Sequence, residues 1–183
     1  MKSYNKARLR EINENDLEMI LRWRNSERVR ANMFTDHIIT IDEHRQWFQN
    51  LKEKDNDVFL IFEYDRTPYG LTCFNQIDKL NYNCFWGFYL GINNPEPGFG
   101  TIMAYVSLNY AFFSLEVKKI YGKVFAFNTA SIKLFKKMGF HQECYLKQHV
   151  LKKGSYEDVI IFALSKDKWQ LISNNDKIRE FIF

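Results

Sequence analysis

Apolar and polar residues alternate along this chain with two periodicities, one typical of strands and one typical of helices. Apolar residues at strand spacing, bounded by turn residues, predict strands over residues 7–12, 58–64, 70–77, 84–90, 120–127, 143–151 and 157–164. Helical spacing predicts helices over residues 13–26, about 101–116, a short one from 128, and 168–183. Thr40 followed by Glu43 predicts a capping box that opens a further helix. Residues 29–40 are predicted to be irregular.

The central part of the chain has a strand, a loop, a helix, a strand and a second helix in succession. The helix over 101–116 is apolar nearly all round, which predicts that other elements cover most of its surface. Two strands joined by such a helix imply a right-handed parallel crossover. With the other predicted strands, this order gives an α/β (α+β) fold, a mixed sheet with helices on both faces.

Composition restricts the class of protein. The 183 residues are 46% hydrophobic and 17% aromatic, which predicts one folded domain over 1–183, with 168–183 as a C-terminal helical extension. The formal charge of +4 suits an anionic ligand and is too small to indicate nucleic acid. Cys73, Cys84 and Cys144 have no metal or disulfide spacing. We expect reduced thiols, no metal, no secretion signal, no membrane span and a cytoplasmic protein.

The loop before the central helix carries the clearest chemical signal. Gly98 and Gly100 allow the backbone to bend sharply and to approach a ligand closely. The helix that follows directs its unpaired N–H groups and the positive end of its dipole at the loop. These features predict a phosphate or pyrophosphate site, although a tight strand-to-helix turn would have the same two glycines.

Residues 128–140, from Asn128 to the Gly139-Phe140 pair, resemble the acyl-CoA-binding end of the GNAT N-acetyltransferase family. The Gly98–Gly100 loop resembles the pyrophosphate loop of the same family, and the resemblance spans roughly residues 7–164. It implies the GNAT fold, a mixed and mostly antiparallel sheet of about seven strands with a central parallel βαβ crossover whose strands part to admit CoA. It also implies acetyl-CoA as co-substrate and direct attack by an amine.

The family resemblance assigns residues to the co-substrate. The pyrophosphate is expected on the backbone amides of five consecutive residues, namely Gly98, Phe99, Gly100, Thr101 and Ile102. The pantetheine arm is expected along the strand edge at Phe88, Leu90 and Ile92, and near Asn128, Ser131 and Phe135. Asn128 can cap its helix and bind pantetheine at once. One departure from the family pattern is Pro95, which stands where an Arg or Gln is usual.

The groups that move protons are less clear. The family's usual tyrosine, which protonates the leaving thiolate, is replaced here by Phe135. Tyr89, Tyr121 or a water molecule could serve instead, or the thiolate could leave unassisted. The strand over 84–90 has no carboxylate base, so His37 is the best candidate by its ordinary pKa, although a lone loop histidine is more often merely exposed.

Residues 23–25, 32–39 and 43–48 resemble the N-acetyltransferases of pseudaminic acid biosynthesis, which act on a UDP-linked amino sugar in flagellin glycosylation. The resemblance implies an acceptor side lined by Arg24, Asn25, Arg30, Asn32, Met33, Asp36 and His37. Arg24 or Arg30 suits a diphosphate, although Arg24 can equally just finish its helix. The alternatives are an N-terminal peptide acceptor and a domain that binds acyl-CoA without turnover. A monomer or a homodimer is expected.

Overall fold

Seven strands form one sheet in the order β1-β2-β3-β4-β5-β7-β6. The computed structural model describes residues 6–174. Neighbouring strands are antiparallel except for the parallel pair β4 and β5. The strands are β1 Ala7–Glu11, β2 Val58–Tyr64, β3 Thr67–Asp78, β4 Asn83–Leu90, β5 Lys119–Phe125, β6 His141–Lys152 and β7 Ser155–Ser165. The mixed, mostly antiparallel seven-stranded sheet with one parallel crossover is therefore confirmed.

Within the described residues, six α-helices cover the two faces of the sheet. They are α1 Leu17–Asn25, α2 Glu27–Arg30, α3 Ile41–Lys52, α4 Phe99–Asn109, α5 Thr129–Lys137 and α6 Lys166–Ser173. The capping box predicted at Thr40 is present, because the Thr40 hydroxyl accepts from the Glu43 amide. The prediction that residues 29–40 are irregular is wrong at its start, where α2 forms one short turn. The part of the predicted last helix beyond residue 174 lies outside the described residues.

The central helix begins earlier and ends differently than its sequence pattern indicates. It begins at Phe99 rather than at residue 101, because Gly98 acts as its N-cap, and it continues into a π-helical turn, Tyr110–Ser114. Ile102 and Leu108 are fully buried, which confirms that this helix is covered on most sides. It packs on one face of the sheet, and Ile20 of α1 packs on the other with Ile61 of β2.

The parallel strands β4 and β5 stay together for only three residue pairs. Their pairing begins at Asn83 and Lys119 and ends at Phe85 and Tyr121. Both strands then continue, β4 to Leu90 and β5 to Phe125, without pairing to each other. One edge of β4 is therefore unpaired over its second half, and the gap that the family resemblance implies is present.

A buried ionic network ties the first strand to the rest of the sheet. Glu63 of β2 is 3% exposed and accepts hydrogen bonds of 2.6 Å from Arg8 Nε and Arg10 Nε. Arg10 also donates to both oxygens of Asp16, which in turn caps the Asn13 amide. Burial alone would raise the pKa of Glu63, but the hydrogen bonds from Arg10 and Arg8 outweigh it and the pKa is lowered. The carboxylate is thus held in its charged form.

We expect Glu63→Gln to lower the free energy of unfolding by about 3 kcal/mol at pH 7, because it leaves two arginines without a buried partner. Since the folded-state pKa of Glu63 lies below its unfolded value of about 4.3, the stabilisation is present above that pH and is lost as the pH falls further. Urea unfolding at pH 7 and pH 3.5 measures both effects. Glu53→Gln, at an exposed position, is the control. A variant as stable as the parent at pH 7 would contradict this account.

Candidate active site

A cavity of about 1190 Å³ opens where β4 and β5 part. Its walls come from both faces of the sheet: α1, α2, α3 and the loop between the last two on one side, and the starts of α4 and α5 on the other. The strands β2, β3 and β4 form its floor. Because pockets for a single small ligand are commonly about 300–1,000 Å³, this volume has room for two substrates.

The glycine loop has the geometry of an anion site. Gly98 has φ +99°, a left-handed conformation that side chains with a Cβ rarely adopt, and it caps the eleven-residue α4. At Gly100 a Cβ would have open space, with Leu134 and Leu90 as its nearest neighbours at 4.0 Å. The Ile102 amide already donates to the Gly98 carbonyl at 3.0 Å. Ile102 is therefore removed from the amides expected to hold a phosphate, and the Phe99 amide lies 3.4 Å from the Glu96 carbonyl.

The start of α5 faces this loop across the cavity. Asn128 Oδ1 accepts from the Ser131 amide at 3.1 Å, so Asn128 caps the helix, and both residues line the cavity. Lys137, at the other end of α5, donates to Thr101 Oγ1 at 3.2 Å. The two regions that carry the sequence resemblance are thus in contact in the fold.

Phe135 is a core residue as well as a wall of the cavity. Its side chain is 2% exposed, and its ring stacks on Phe162 with centroids 5.3 Å apart. A Cβ at position 122 would lie 2.2 Å from the Phe135 ring, so Gly122 is what allows the ring to pack on β5. The residue that replaces the family's usual tyrosine is therefore fixed by packing.

The free edge of β4 meets an arginine from the opposite side of the cavity. Phe88 and Leu90 line the cavity, as predicted, whereas Ile92 does not. Arg28 of α2 donates to the carbonyl oxygens of Leu90 at 2.7 Å and Ile92 at 2.9 Å. Sequence reasoning missed Arg28, since nothing in the spacing of α2 indicates a contact with a strand 62 residues later.

The loop between α2 and α3 is held by polar contacts from three elements. Arg24 donates to the Thr35 carbonyl at 2.9 Å, Arg30 to the Asp36 carbonyl at 2.8 Å and Lys152 to the Met33 carbonyl at 2.7 Å. We call residues 33–36 the acceptor loop. The Asn25 side chain exchanges two hydrogen bonds with the Ile39 backbone, which fixes the segment after the loop.

The residues predicted for the acceptor side divide into two groups. Arg24, Asn32, Met33 and His37 line the cavity. The other three, Asn25, Arg30 and Asp36, are not among its lining residues.

The two predicted catalytic residues both line the cavity. Burial raises the pKa of Tyr89 strongly, Cys73 adds to the rise and Arg24 opposes it, so the phenol stays protonated at neutral pH. His37 lies in the loop before α3, with Nε2 3.3 Å from Glu43 Oε1, and its side chain is 59% exposed. The pKa of Glu43 is lowered mainly by hydrogen bonds from Thr40.

Two further cavity residues had no signal in the sequence. His44 is 4% exposed, its ring lies 5.0 Å from that of Trp47, and burial lowers its pKa against a weaker opposite effect of the Leu17 backbone. The imidazole is therefore neutral at neutral pH. Burial raises the pKa of the Cys73 thiol to about 11, so this thiol is a poor nucleophile. Direct attack by an amine agrees with that state.

Within residues 6–174, no three His, Cys, Asp or Glu side chains come together in a way that could hold a metal ion. None of the helices in that range is long and apolar enough to cross a membrane.

Known acetyltransferases are similar to this chain in sequence and in fold. Residues 9–161 match the family model described as an Acetyltransferase (GNAT) domain. The SPbeta prophage-derived uncharacterized N-acetyltransferase YokL of Bacillus subtilis is 31% identical over 69% of this chain and 72% of its own. Acetyltransferase PseH of Campylobacter jejuni is 29% identical over 71% of this chain and 80% of its own. The solved spermidine N-acetyltransferase of Vibrio cholerae, in complex with CoA and spermine, superposes with a TM-score of 0.86 at 20% identity, over 91% of this chain and 99% of its own.

Proposed function

This chain belongs to the GNAT family and is an acetyl-CoA-dependent N-acetyltransferase, and from that premise we propose that it acetylates a nucleotide-linked amino sugar. The specific acceptor proposed is the 4-amino group of a UDP-linked amino-dideoxy sugar, a step of pseudaminic acid biosynthesis for flagellin glycosylation. The relative named PseH, at 29% identity, supports this choice.

The observation that carries the proposal is the charge of the cavity walls. Glu43 is the one carboxylate among the described lining residues. Five cations also line the cavity: Arg24 and Arg28 lie on the acceptor side with Glu43, Lys133 and Lys137 lie on α5 on the side proposed for acetyl-CoA, and Lys123 lies on β5. A polyamine such as spermidine is a polycation and needs carboxylates around it, whereas a diphosphate gains from Arg and Lys. The walls therefore favour an anionic acceptor, and the V. cholerae enzyme, at 20% identity, shares the fold alone.

The donor side of the cavity fits acetyl-CoA. The amides of Gly98, Gly100 and Thr101 would hold the pyrophosphate, helped by the dipole of α4. Asn128, Ser131 and Phe135 would lie along the pantetheine, and the free edge of β4 would pair with its amides like an added strand. When bound, acetyl-CoA supplies an acetyl carbon activated as a thioester.

The chain's own residues then have three tasks. An N–H group of the free edge at Phe88–Leu90 polarises the acetyl carbonyl. The imidazole of His37 accepts the proton that the amine loses as the C–N bond forms, directly or through water. The hydroxyl of Tyr89 gives a proton to the sulfur as the C–S bond breaks. The acceptor loop, which includes Met33, orients the sugar together with Arg24 and Asn32.

The proposal is tested by CoASH release from acetyl-CoA with three acceptors offered separately: the UDP-linked 4-amino sugar, spermidine and an N-terminal peptide. We expect kcat/KM for the sugar to exceed the other two by at least about 100-fold, since each mismatched acceptor leaves charged wall groups unpaired. Protein and acetyl-CoA without an acceptor give the background rate. Release with spermidine or peptide alone would refute the sugar assignment. Tight acetyl-CoA binding without release would indicate a binding domain or another amine.

A further inference from the structure

One lysine of the C-terminal hairpin reaches the acceptor loop beside the cavity. Lys152 ends β6, is only 7% exposed, and donates from Nζ to the Met33 carbonyl at 2.7 Å. The two residues are 119 positions apart in the chain. A buried lysine is uncommon unless its charge is paired. Lys152 therefore calls for an explanation beyond its place in the hairpin.

The charge around Lys152 is unbalanced. Its one nearby carboxylate among the described residues is Asp36, with Oδ2 3.9 Å from Nζ and a partly exposed side chain. Burial lowers the pKa of Lys152, Asp36 raises it, and Lys153, Arg24 and Arg30 lower it further. Three cations thus converge on a loop that offers one carboxylate. We call Arg24, Arg30 and Lys152 the cation cluster.

The cation cluster also has hydrogen-bonding capacity to spare. Arg24 Nη1 and Arg30 Nε are buried and make no hydrogen bond to any described residue. Buried donors without a partner are destabilising, and more so when they are charged. A cluster with surplus positive charge and unused donors favours an anion beside it.

Packing alone does not account for Lys152. Its Nζ lies 5.5 Å from the centroid of Phe125, whose ring packs on Phe34 of the acceptor loop at 4.7 Å. In such surroundings an apolar side chain of similar volume would avoid the cost of burying a charge, and such replacements are often neutral or stabilising. The charge of Lys152 is therefore better explained by a ligand than by the fold.

We propose that Lys152 is a specificity-determining residue for the acceptor. By holding the Met33 carbonyl it fixes the acceptor loop from behind, and with Arg30 it adds positive charge next to Arg24, the member of the cation cluster that lines the cavity. The cation cluster then selects an amine that carries phosphate, of the nucleoside diphosphate class. This inference rests on the proposed function for the identity of the acceptor, but not for the binding of the anion.

The experiment compares Lys152→Met with Lys153→Met. Lys153 is the exposed neighbour of Lys152, so its replacement removes the same charge from the same part of the chain. UDP is titrated by calorimetry into protein saturated with CoA. CoA then occupies the glycine loop, and UDP binding reports on the acceptor side alone. We expect Lys152→Met to raise the Kd for UDP and the KM for the sugar about tenfold or more, because the acceptor loop loses its anchor and Arg24 loses a neighbouring positive charge. The KM for acetyl-CoA and the midpoint of thermal unfolding should change little. Lys152→Arg should recover part of the affinity, and Lys153→Met should match the parent.

The outcomes separate this inference from the proposed function. UDP binding that weakens in Lys152→Met, with no acetylation of the sugar by the parent, would support the anion site and refute the sugar assignment. Normal acetylation with an unchanged KM in Lys152→Met would leave the function standing and overturn the inference. Equal losses for UDP and acetyl-CoA, or a fall in thermal stability alone, would reduce Lys152 to a structural role. A parent protein that neither binds UDP nor acetylates the sugar would overturn both.

Discussion

Gly100→Asp is expected to raise the KM for acetyl-CoA at least about 100-fold while the protein stays folded. The substitution places a carboxylate beside the glycine loop, where we propose that the pyrophosphate binds. A like charge in a partly enclosed site costs about 3 kcal/mol at a separation of a few ångströms. The fold should tolerate it, because the nearest side chains to a Cβ at position 100, those of Leu134 and Leu90, lie 4.0 Å away. An acidic residue in the first turn of α4 is also favoured by the helix dipole.

Gly100→Ala is the matched control, since it adds the Cβ without the charge. It should keep the KM for acetyl-CoA close to that of the parent, and it should stabilise α4 by about 0.5–1 kcal/mol because alanine replaces glycine inside a helix. Steady-state kinetics and thermal unfolding of both variants provide the measurements. If Gly100→Asp bound acetyl-CoA as well as Gly100→Ala does, the pyrophosphate would have to lie elsewhere in the cavity.

The sequence was sufficient for those features that depend on neighbouring residues. Strand spacing located all seven strands, and the Thr40 capping box gave the start of α3 almost to the residue. Two glycines before an apolar helix located the loop whose left-handed Gly98 opens the cavity. Each of these signals is local, because it depends on backbone conformation or on side chains within one turn.

The rest of the site depends on contacts between distant parts of the chain. Lys152 contacts a loop 119 residues away, and Arg28 contacts the end of β4, 62 residues away. His44 is buried in contact with the backbone of Leu17 in α1, and its neighbours in sequence give no indication of that. No spacing rule relates such pairs, so an exposed and a buried lysine or histidine look alike in the sequence.

The length of the β4–β5 pairing shows the same limit. Alternation predicts that both strands exist, and a helix between them predicts that they are parallel. It does not predict that they separate after Phe85 and Tyr121. That separation came from the family resemblance. In the structure, the rings of Phe88 and Phe135 lie 5.8 Å apart beside the unpaired edge of β4.

Tyr89→Phe is expected to lower kcat by at least about 100-fold, the usual loss when a general acid is removed. The change deletes the hydroxyl that we propose gives a proton to the departing sulfur. Because burial raises the pKa of Tyr89, this hydroxyl is protonated throughout the neutral range and is available as a donor. The KM for acetyl-CoA should be unchanged, since a group that acts only in the transition state contributes little to ground-state binding.

Tyr121→Phe is the control for Tyr89→Phe, since both are tyrosines of the central strands and both could replace the missing family tyrosine. Tyr121 is not among the residues that line the cavity, and its ring packs against Phe85 with centroids 5.4 Å apart. Its loss should therefore leave kcat within about threefold of the parent. Equal and small effects of both substitutions would mean that the thiolate leaves without a tyrosine, with water as the proton source. A large effect of Tyr121→Phe alone would mean that the sulfur lies on the β5 side of the gap, because only a group within hydrogen-bonding reach can protonate it.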